Sequence, residues 1–492
     1  MDISYNVLTE PWIPAVDQSG KLQNYGILDI LEKAHELKEI TDASPLVEYG
    51  LYRLLCVFLM DALRPEDLEE IEDLLDAGHF DMSQIERYVA RCQAEGASFD
   101  LFDEKRPFLQ TPYHSENGSE EKSIGYLDKH IPTGSNHIHF NHAASEACLS
   151  FAEAARLLPS CYIFAVKGGA GYHMSINGRP PYFALVKGGN LFQTLIYTLL
   201  PLESIGDFDS IPAFWNRKEP VASKREISRT SWLCGMLFPV RRITLIPKDG
   251  RVDKVYFSPG EFLNIADNWI DPHVTYIRTE KGNTALFPEE NHPLWMNLNH
   301  LISGQGKTAP QIISNYKDTF RTSNQGIRIS LYGLQTKDDV ASYSDLICRD
   351  LRIADSFFSV RGEILIGECI KEAEKLGKSI KKTFEFKKFK PKQKPHGIGH
   401  IISLSAENEF YHRCEARLLA LCSIERSKED MDGENVIREW KMELYQMGKA
   451  VRDDTLSRIR LTGQQWLELY QKQGELNRDL MELKKEGERA DG

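Results

Sequence analysis

From about residue 358 onward the apolar residues recur at helical spacing through four long segments: Glu363–Lys382, Glu407–Arg426, Val436–Ser457 and Thr462–Glu486. Such a run folds as a helical bundle. The last segment sets Trp466, Leu467, Leu469, Tyr470, Leu476, Leu480 and Leu483 on roughly one stripe, expected to pack in the core. Before residue 357 the pattern is mixed, with short apolar runs such as Arg242–Ile246 and Val255–Phe257, helical stretches, and many Gly, Pro and Asn turns. The expected fold is α+β: a large mixed α/β N-terminal domain over 1–357, then a C-terminal four-helix bundle over 358–492.

The 492 residues leave room for roughly three domains by length, and 41% hydrophobic content suffices for large buried cores. The most apolar helix candidate, about Leu46 to Leu63, is interrupted by Glu48, Tyr49, Arg53 and Asp61, so it reads as a core helix and not a membrane span. Met1-Asp2-Ile3-Ser4 carries an acid and no basic region, so no secretory or transit signal is expected. Nine cysteines, none in a Cys-x-x-Cys pair, support neither a disulfide framework nor a zinc ribbon, and a reducing cytoplasm fits them. The net charge of −12 argues against coating nucleic acid by bulk electrostatics and leaves local basic patches to be found.

One such patch surrounds Lys167-Gly168-Gly169-Ala170-Gly171, a strip of backbone nearly bare of side chains. Glycines permit close approach and positive φ, and amide N–H groups beside a lysine suit a phosphate backbone or a duplex groove. The apolar runs on either side, Cys161–Val166 and Tyr182–Val186, read as two strands holding the loop, and an ordinary long hairpin remains open beside the binding reading. Nucleotide motifs fail on spacing. Gly306-Lys307-Thr308 has Leu301 where a P-loop needs glycine, and the 167–171 loop lacks the Gly-x-Gly-x-x-Gly pattern.

A second basic stretch, Lys381 to His396, interleaves Phe384, Phe386 and Phe389 with Lys387, Lys388, Lys390, Lys392 and Lys394, which suits non-specific phosphate neutralisation with stacking, or a solvated loop. His137, His139, His142 and Glu146 gather metal-ligand residue types, so a metal-dependent hydrolase is the alternative function. Asn136, His139, Phe140 and Asn141 otherwise read as a recognition loop for unpaired nucleotides. No nucleophile elbow, His-Glu-x-x-His pair or deaminase signature is present, so no enzyme chemistry is assigned and no cofactor is expected.

Tyr5 to Pro14, containing Trp12-Ile13-Pro14, opens a collinear set: Arg106 to Thr111, the Asn136 to Asn141 loop, the glycine loop with Arg179 and Lys187-Gly188-Gly189, and Phe410 to Glu415, taken to open the second bundle helix. Together these resemble the CasA family, the large subunit of the type I-E CRISPR surveillance complex, Cascade. The resemblance implies a non-catalytic subunit bound to the other Cascade proteins, the 5′ region of the crRNA, double-stranded target DNA and the displaced non-target strand. It further implies a glycine loop, a basic finger and an amide wedge that probe the PAM duplex, and recruitment of a separate helicase-nuclease after R-loop formation. The finger falls on Arg278 or Lys281, and the wedge on Gln335, Thr336 and Lys337 in place of an adjacent Asn-Gln pair. The cysteine-rich zinc insertion of some relatives is absent between about Ile243 and Asp271, so no metal is implied.

Overall fold

Helix Pro45–Leu63 is buried along nearly its whole length, which is why it is apolar on every face. Pro45 at its first position and Arg64 in the left-handed region at its end fix its limits. Each polar side chain along it has a partner. Glu48 accepts from Tyr332 Oη, and Asp61 accepts from Tyr88 Oη at 2.8 Å. Arg53 grips Asp271 through two bonds of 2.9 and 2.6 Å and donates further to Met236 O and Tyr49 Oη.

The computed structural model describes residues 3–112, 120–131, 147–263, 269–280, 282–289, 292–302, 309–320, 326–337, 340–385, 398–432 and 434–488. The chain divides into two units: Met1–Pro288 with Pro310–Arg321 and Arg328–Asp350, and Glu289–Ala309 with Thr322–Ile327 and Leu351–Gly492.

In the first unit, helix Phe151–Ile163 packs on helix Pro45–Leu63. The crossing is close at Gly50, where an added Cβ would stand 3.1 Å from Ser160 N. Strand Phe183–Lys187 pairs antiparallel with Ile327–Thr336, which lies between it and Tyr343–Ile353. Strands Arg241–Lys248 and Arg251–Pro259 form a hairpin whose second strand also carries Glu120–Ser123 and Leu149–Ser150. Tyr182–Val186 thus yields its strand, but Cys161–Val166 does not: Cys161 to Ile163 are the last turn of a helix. Ser150 and Glu153 form a capping box at its start, and buried Ala154, Ala155, Leu158, Cys161 and Tyr162 keep helical spacing.

His273 lies beside the Arg53–Asp271 pair. Its Nδ1 bonds Ala184 O at 3.0 Å, while its buried Nε2 has no partner among the described residues. Burial first, then the Arg53 charge, hold its pKa down at about 4 against an ordinary 6.5. The folded state therefore refuses a proton that the unfolded chain accepts between those values. Stability is whole above pH 6.5 and should fall by about 3 kcal/mol as pH drops to about 4. Unfolding midpoints measured across this window should decline, and His273→Asn, which keeps a donor but cannot titrate, should flatten the slope.

The second unit holds the bundle: helices Val360–Phe384, Ile398–Cys422, Asn435–Arg458 and Gly463–Gly487. Leu365, Cys369, Leu376 and Ile380 of the first helix meet Trp440, Leu444 and Val451 of the third and Leu469, Leu476, Leu480 of the fourth in one core. Trp440 Nε1 donates to Cys369 O at 2.8 Å, and Gly448 admits Leu376 and Leu480 to within 2.8–2.9 Å of where its Cβ would be. The second helix begins nine residues before the expected Glu407 and ends at Cys422, so Phe410 to Glu415 sit in its middle. Its buried stripe runs Ser403, Ala406, Phe410, Cys414, Leu418, and the small first members hide its start from a hydrophobicity reading.

The stripe on the last helix also needs correction. Leu469, Leu476, Leu480 and Leu483 are buried, whereas Trp466, Leu467 and Tyr470 are 41, 61 and 76% exposed. At about 100° per residue the four leucines fall within about 60° of one another, and Trp466, Tyr470 and Leu467 rotate progressively off that face. All nine cysteines are free thiols. No helix of the described residues is long and apolar enough to cross a membrane.

Candidate nucleic-acid interface

After helix Phe151–Ile163 the chain leaves its core at Val166, exposes Lys167 to Ala170, and returns to bond Ala165 O through Ser175 N–H. Gly169 at φ +102° and Gly171 at φ +84° hold backbone conformations that side-chain-bearing residues rarely adopt. The amide N–H groups of Gly168, Gly169, Ala170 and Gly171 make no hydrogen bond to the described residues. Lys167 N–H donates to Val340 O at 3.1 Å, stitching the loop to the turn between strands Ile327–Thr336 and Tyr343–Ile353. Val340 itself sits at φ +53°, a strained position for a β-branched residue, and its N–H donates to Lys337 O.

Arg179 draws the other predicted parts together. Its guanidinium donates to Thr336 Oγ1 and Thr336 O, both at 2.8 Å, and to Pro288 O at 3.4 Å, with the Phe287 ring 5.7 Å away. Phe287 and Pro288 follow the hairpin of Tyr276–Thr279 and Gly282–Ala285, in which Arg278 stands opposite Asn283. One arginine therefore ties the end of the hairpin expected to hold the finger to the base of the turn expected to hold the wedge, while Lys167 ties that turn to the glycine loop. Thr336 is buried by this clasp. Gln335 donates its amide to Ser344 Oγ at 2.9 Å, and Lys337 is exposed at the turn.

Lys281 lies outside the described residues, as do Asn136, His137, His139, Phe140, Asn141, His142, Glu146 and the lysines 387, 388, 390, 392 and 394. Among the described residues no group of three or more His, Cys, Asp or Glu side chains is placed to hold a metal ion. Sequence reasoning missed Arg241, Lys129 and Tyr172, which stand beneath the glycine loop. The only signal was the Arg241-Arg242 pair opening a strand after Pro239, a place where an inward arginine is unexpected.

The family model described as CRISPR-associated protein Cse1 matches residues 6–451. The chain is 27% identical over 397 residues to the CRISPR-associated protein CasA/Cse1 of Thermus thermophilus, covering 77% of this chain and 76% of that protein. Its fold is similar to the crystal structure of Thermobifida fusca Cse1 at a TM-score of 0.79, with 18% identity and 98% of each chain covered. It is also similar to a chain of a CRISPR RNA-guided surveillance complex at a TM-score of 0.76, with 17% identity, over 98% of this chain and 99% of that one.

Proposed function

The chain belongs to the CRISPR-associated Cse1 family, and from that premise we propose that it is the large, non-catalytic subunit of a type I-E Cascade complex that recognises the PAM in double-stranded target DNA. The observation that carries this reading is the glycine loop: four amide groups without acceptors among the described residues, beside Lys167, stitched to the turn at Lys337–Val340 and through Arg179 to the end of the Tyr276–Ala285 hairpin. Such a surface presents donors along a nearly side-chain-free edge, which fits a minor groove lined by acceptors. With a net charge of −12 the affinity must come from this local geometry.

In this reading the reader consists of Lys167 to Gly171, Gln335 and Lys337 at the turn, and Arg278 or Lys281 on the finger, with Thr336 as a support. Residues Asn136, His139, Phe140 and Asn141 dock the subunit near the crRNA 5′ end, and Lys387, Lys388, Lys390, Lys392 and Lys394 hold DNA without regard to sequence. Recognition of the PAM then promotes strand opening, and the formed R-loop recruits the helicase-nuclease.

Add-back to a complex assembled without this chain tests the reading. Duplex target should bind only after the chain is restored, because duplex opening is the step it assists. A single-stranded target complementary to the guide should bind with or without it. Equal duplex binding in its absence would overturn the proposal.

A further inference from the structure

Directly under the glycine loop lies a cavity of about 300 Å³, walled by Val166 to Gly169 on one side and reached by Lys129, Arg241, Tyr172 and Tyr343 on the others. Arg241 is only 4% exposed. Two other covered arginines of this unit have an acid: Arg53 has Asp271, and Arg217 has Glu261 at 2.9 Å. Arg241 has none among the described residues. Its guanidinium donates to three main-chain carbonyls, His173 O at 2.7 Å, Val240 O at 3.0 Å and Val166 O, and rests 5.3 Å over the Tyr172 ring. Carbonyl dipoles satisfy part of its donor set but do not neutralise it, and a buried charge without a counter-ion is costly.

The second cation, Lys129, has no ion pair with a described carboxylate. Burial, then the like charge of Arg241, pull its pKa down; Cys161 and Asp128 act the other way. Asp128 itself is engaged by the His130 N–H at 2.9 Å, and Glu120, which faces Tyr172, pairs with Lys122 at 3.2 Å. Burial also drives the Arg241 pKa down to about 10 and the Cys161 thiol up to about 11, so the thiol is neutral in the physiological range. Tyr343 is raised to about 12 and is likewise uncharged there. Among the described residues the cavity is thus lined by three cationic residues, Lys129, Lys167 and Arg241, and no anion, with the amides of Gly168 and Gly169, unbonded to the described residues, at its edge.

We propose that this cavity is a phosphate site and that its occupant in the working complex is a phosphodiester of the target duplex, seated by Arg241 and Lys129 while the glycine loop lies in the adjoining groove. The assignment to the duplex rests on the PAM reading under Proposed function. A seated phosphate would set the register of the duplex against the loop, as backbone contacts do in sequence-reading proteins.

The test has two arms. In the first, inorganic phosphate is titrated into the purified full chain by calorimetry at constant ionic strength set with chloride. The wild type should bind, and Lys129→Gln should bind about tenfold or more weakly, the loss expected for one hydrogen bond to a charged group. Lys129 is half-buried, so its variant guards against the folding failure that Arg241→Gln risks. In the second arm a single uncharged methylphosphonate is moved along the PAM-proximal backbone of a target duplex offered to the assembled complex. One position should weaken wild-type binding by about tenfold, and Lys129→Gln should lessen the effect at that position. No phosphate binding and no sensitive position would overturn the site. Phosphate binding without a sensitive position would overturn the duplex assignment and leave free phosphate as the ligand. Both failures leave PAM-dependent duplex binding by the wild type untouched, and loss of that dependence would instead overturn the reading of the loop.

Discussion

Arg53→Met is expected to destabilise the N-terminal unit by about 3–5 kcal/mol, the cost of leaving one member of a buried ion pair behind. Arg53 and Asp271 are each at most 1% exposed, and the pair joins helix Pro45–Leu63 to the segment that leads into the finger hairpin. Burial alone would raise the Asp271 pKa, and the Arg53 guanidinium with its two bonds overcomes this and holds the carboxyl below its ordinary value. Without Arg53, Asp271 keeps Asn177 Nδ2 at 2.9 Å and the His273 N–H at 3.0 Å. Guanidinium chloride unfolding followed by tryptophan fluorescence should show the lowered midpoint. The uncharged combination Arg53→Met with Asp271→Asn should recover part of the loss. A single-variant loss under about 1 kcal/mol, the size of an exposed ion pair, would contradict the account.

The second large effect concerns recognition. Replacing Gly168 and Gly169 together by Asp should weaken PAM-dependent duplex binding by about 1–3 kcal/mol for each amide or charge-assisted hydrogen bond to the duplex that no longer forms, while complex assembly stays intact. Two causes are combined in that variant, and the geometry separates them. Gly169 has open space where a Cβ would go but a φ of +102°, so Gly169→Ala tests backbone strain with little bulk and no charge. Ala170 is exposed and already carries a Cβ, so Ala170→Asp adds negative charge without that strain. Gel-shift titrations of the assembled complex should rank Ala170→Asp well below wild type, with unchanged affinity for a single-stranded target. Equal duplex affinity for all three variants would make the loop an ordinary connection.

The bundle was legible because Leu365, Cys369, Leu376 and their partners repeat at 3.6 residues over many turns, a signal that short strands never provide. Its errors arose where hydrophobicity and helical angle diverge: Ser403 and Ala406 are buried without being strongly apolar, and Trp466, Leu467 and Tyr470 are apolar without facing the core. Cys161 to Val166 misled because six consecutive apolar residues fit a buried strand or the end of a buried helix equally well. The capping box that decides for a helix stands at Ser150, eleven residues upstream of Cys161.

At the candidate interface the glycines were visible because their side-chain poverty is itself the signal. Arg179, the clasp, and Arg241, which has no acid beside it among the described residues, were not legible as such, because what distinguishes them is the presence or absence of partners far away in the sequence. Thr336 shows the same limit. Its residue type suits a groove contact, and only the Arg179 bonds turn it into a buried support.

Whether this chain reads the duplex flanking a target is decided by a library of all flanking sequences presented to the assembled complex. Lysine and arginine donate and cannot accept, so a reader built on Gln335, Lys337 and Arg278 or Lys281 with loop amides should tolerate several flanks whose minor groove offers only acceptors. It should reject those that project the guanine amino group. The predicted result is a permissive preference for A·T-containing flanks that collapses when Gly168 and Gly169 are replaced by Asp. Binding indifferent to the flank, or a single flank retained with all others lost, would contradict the account.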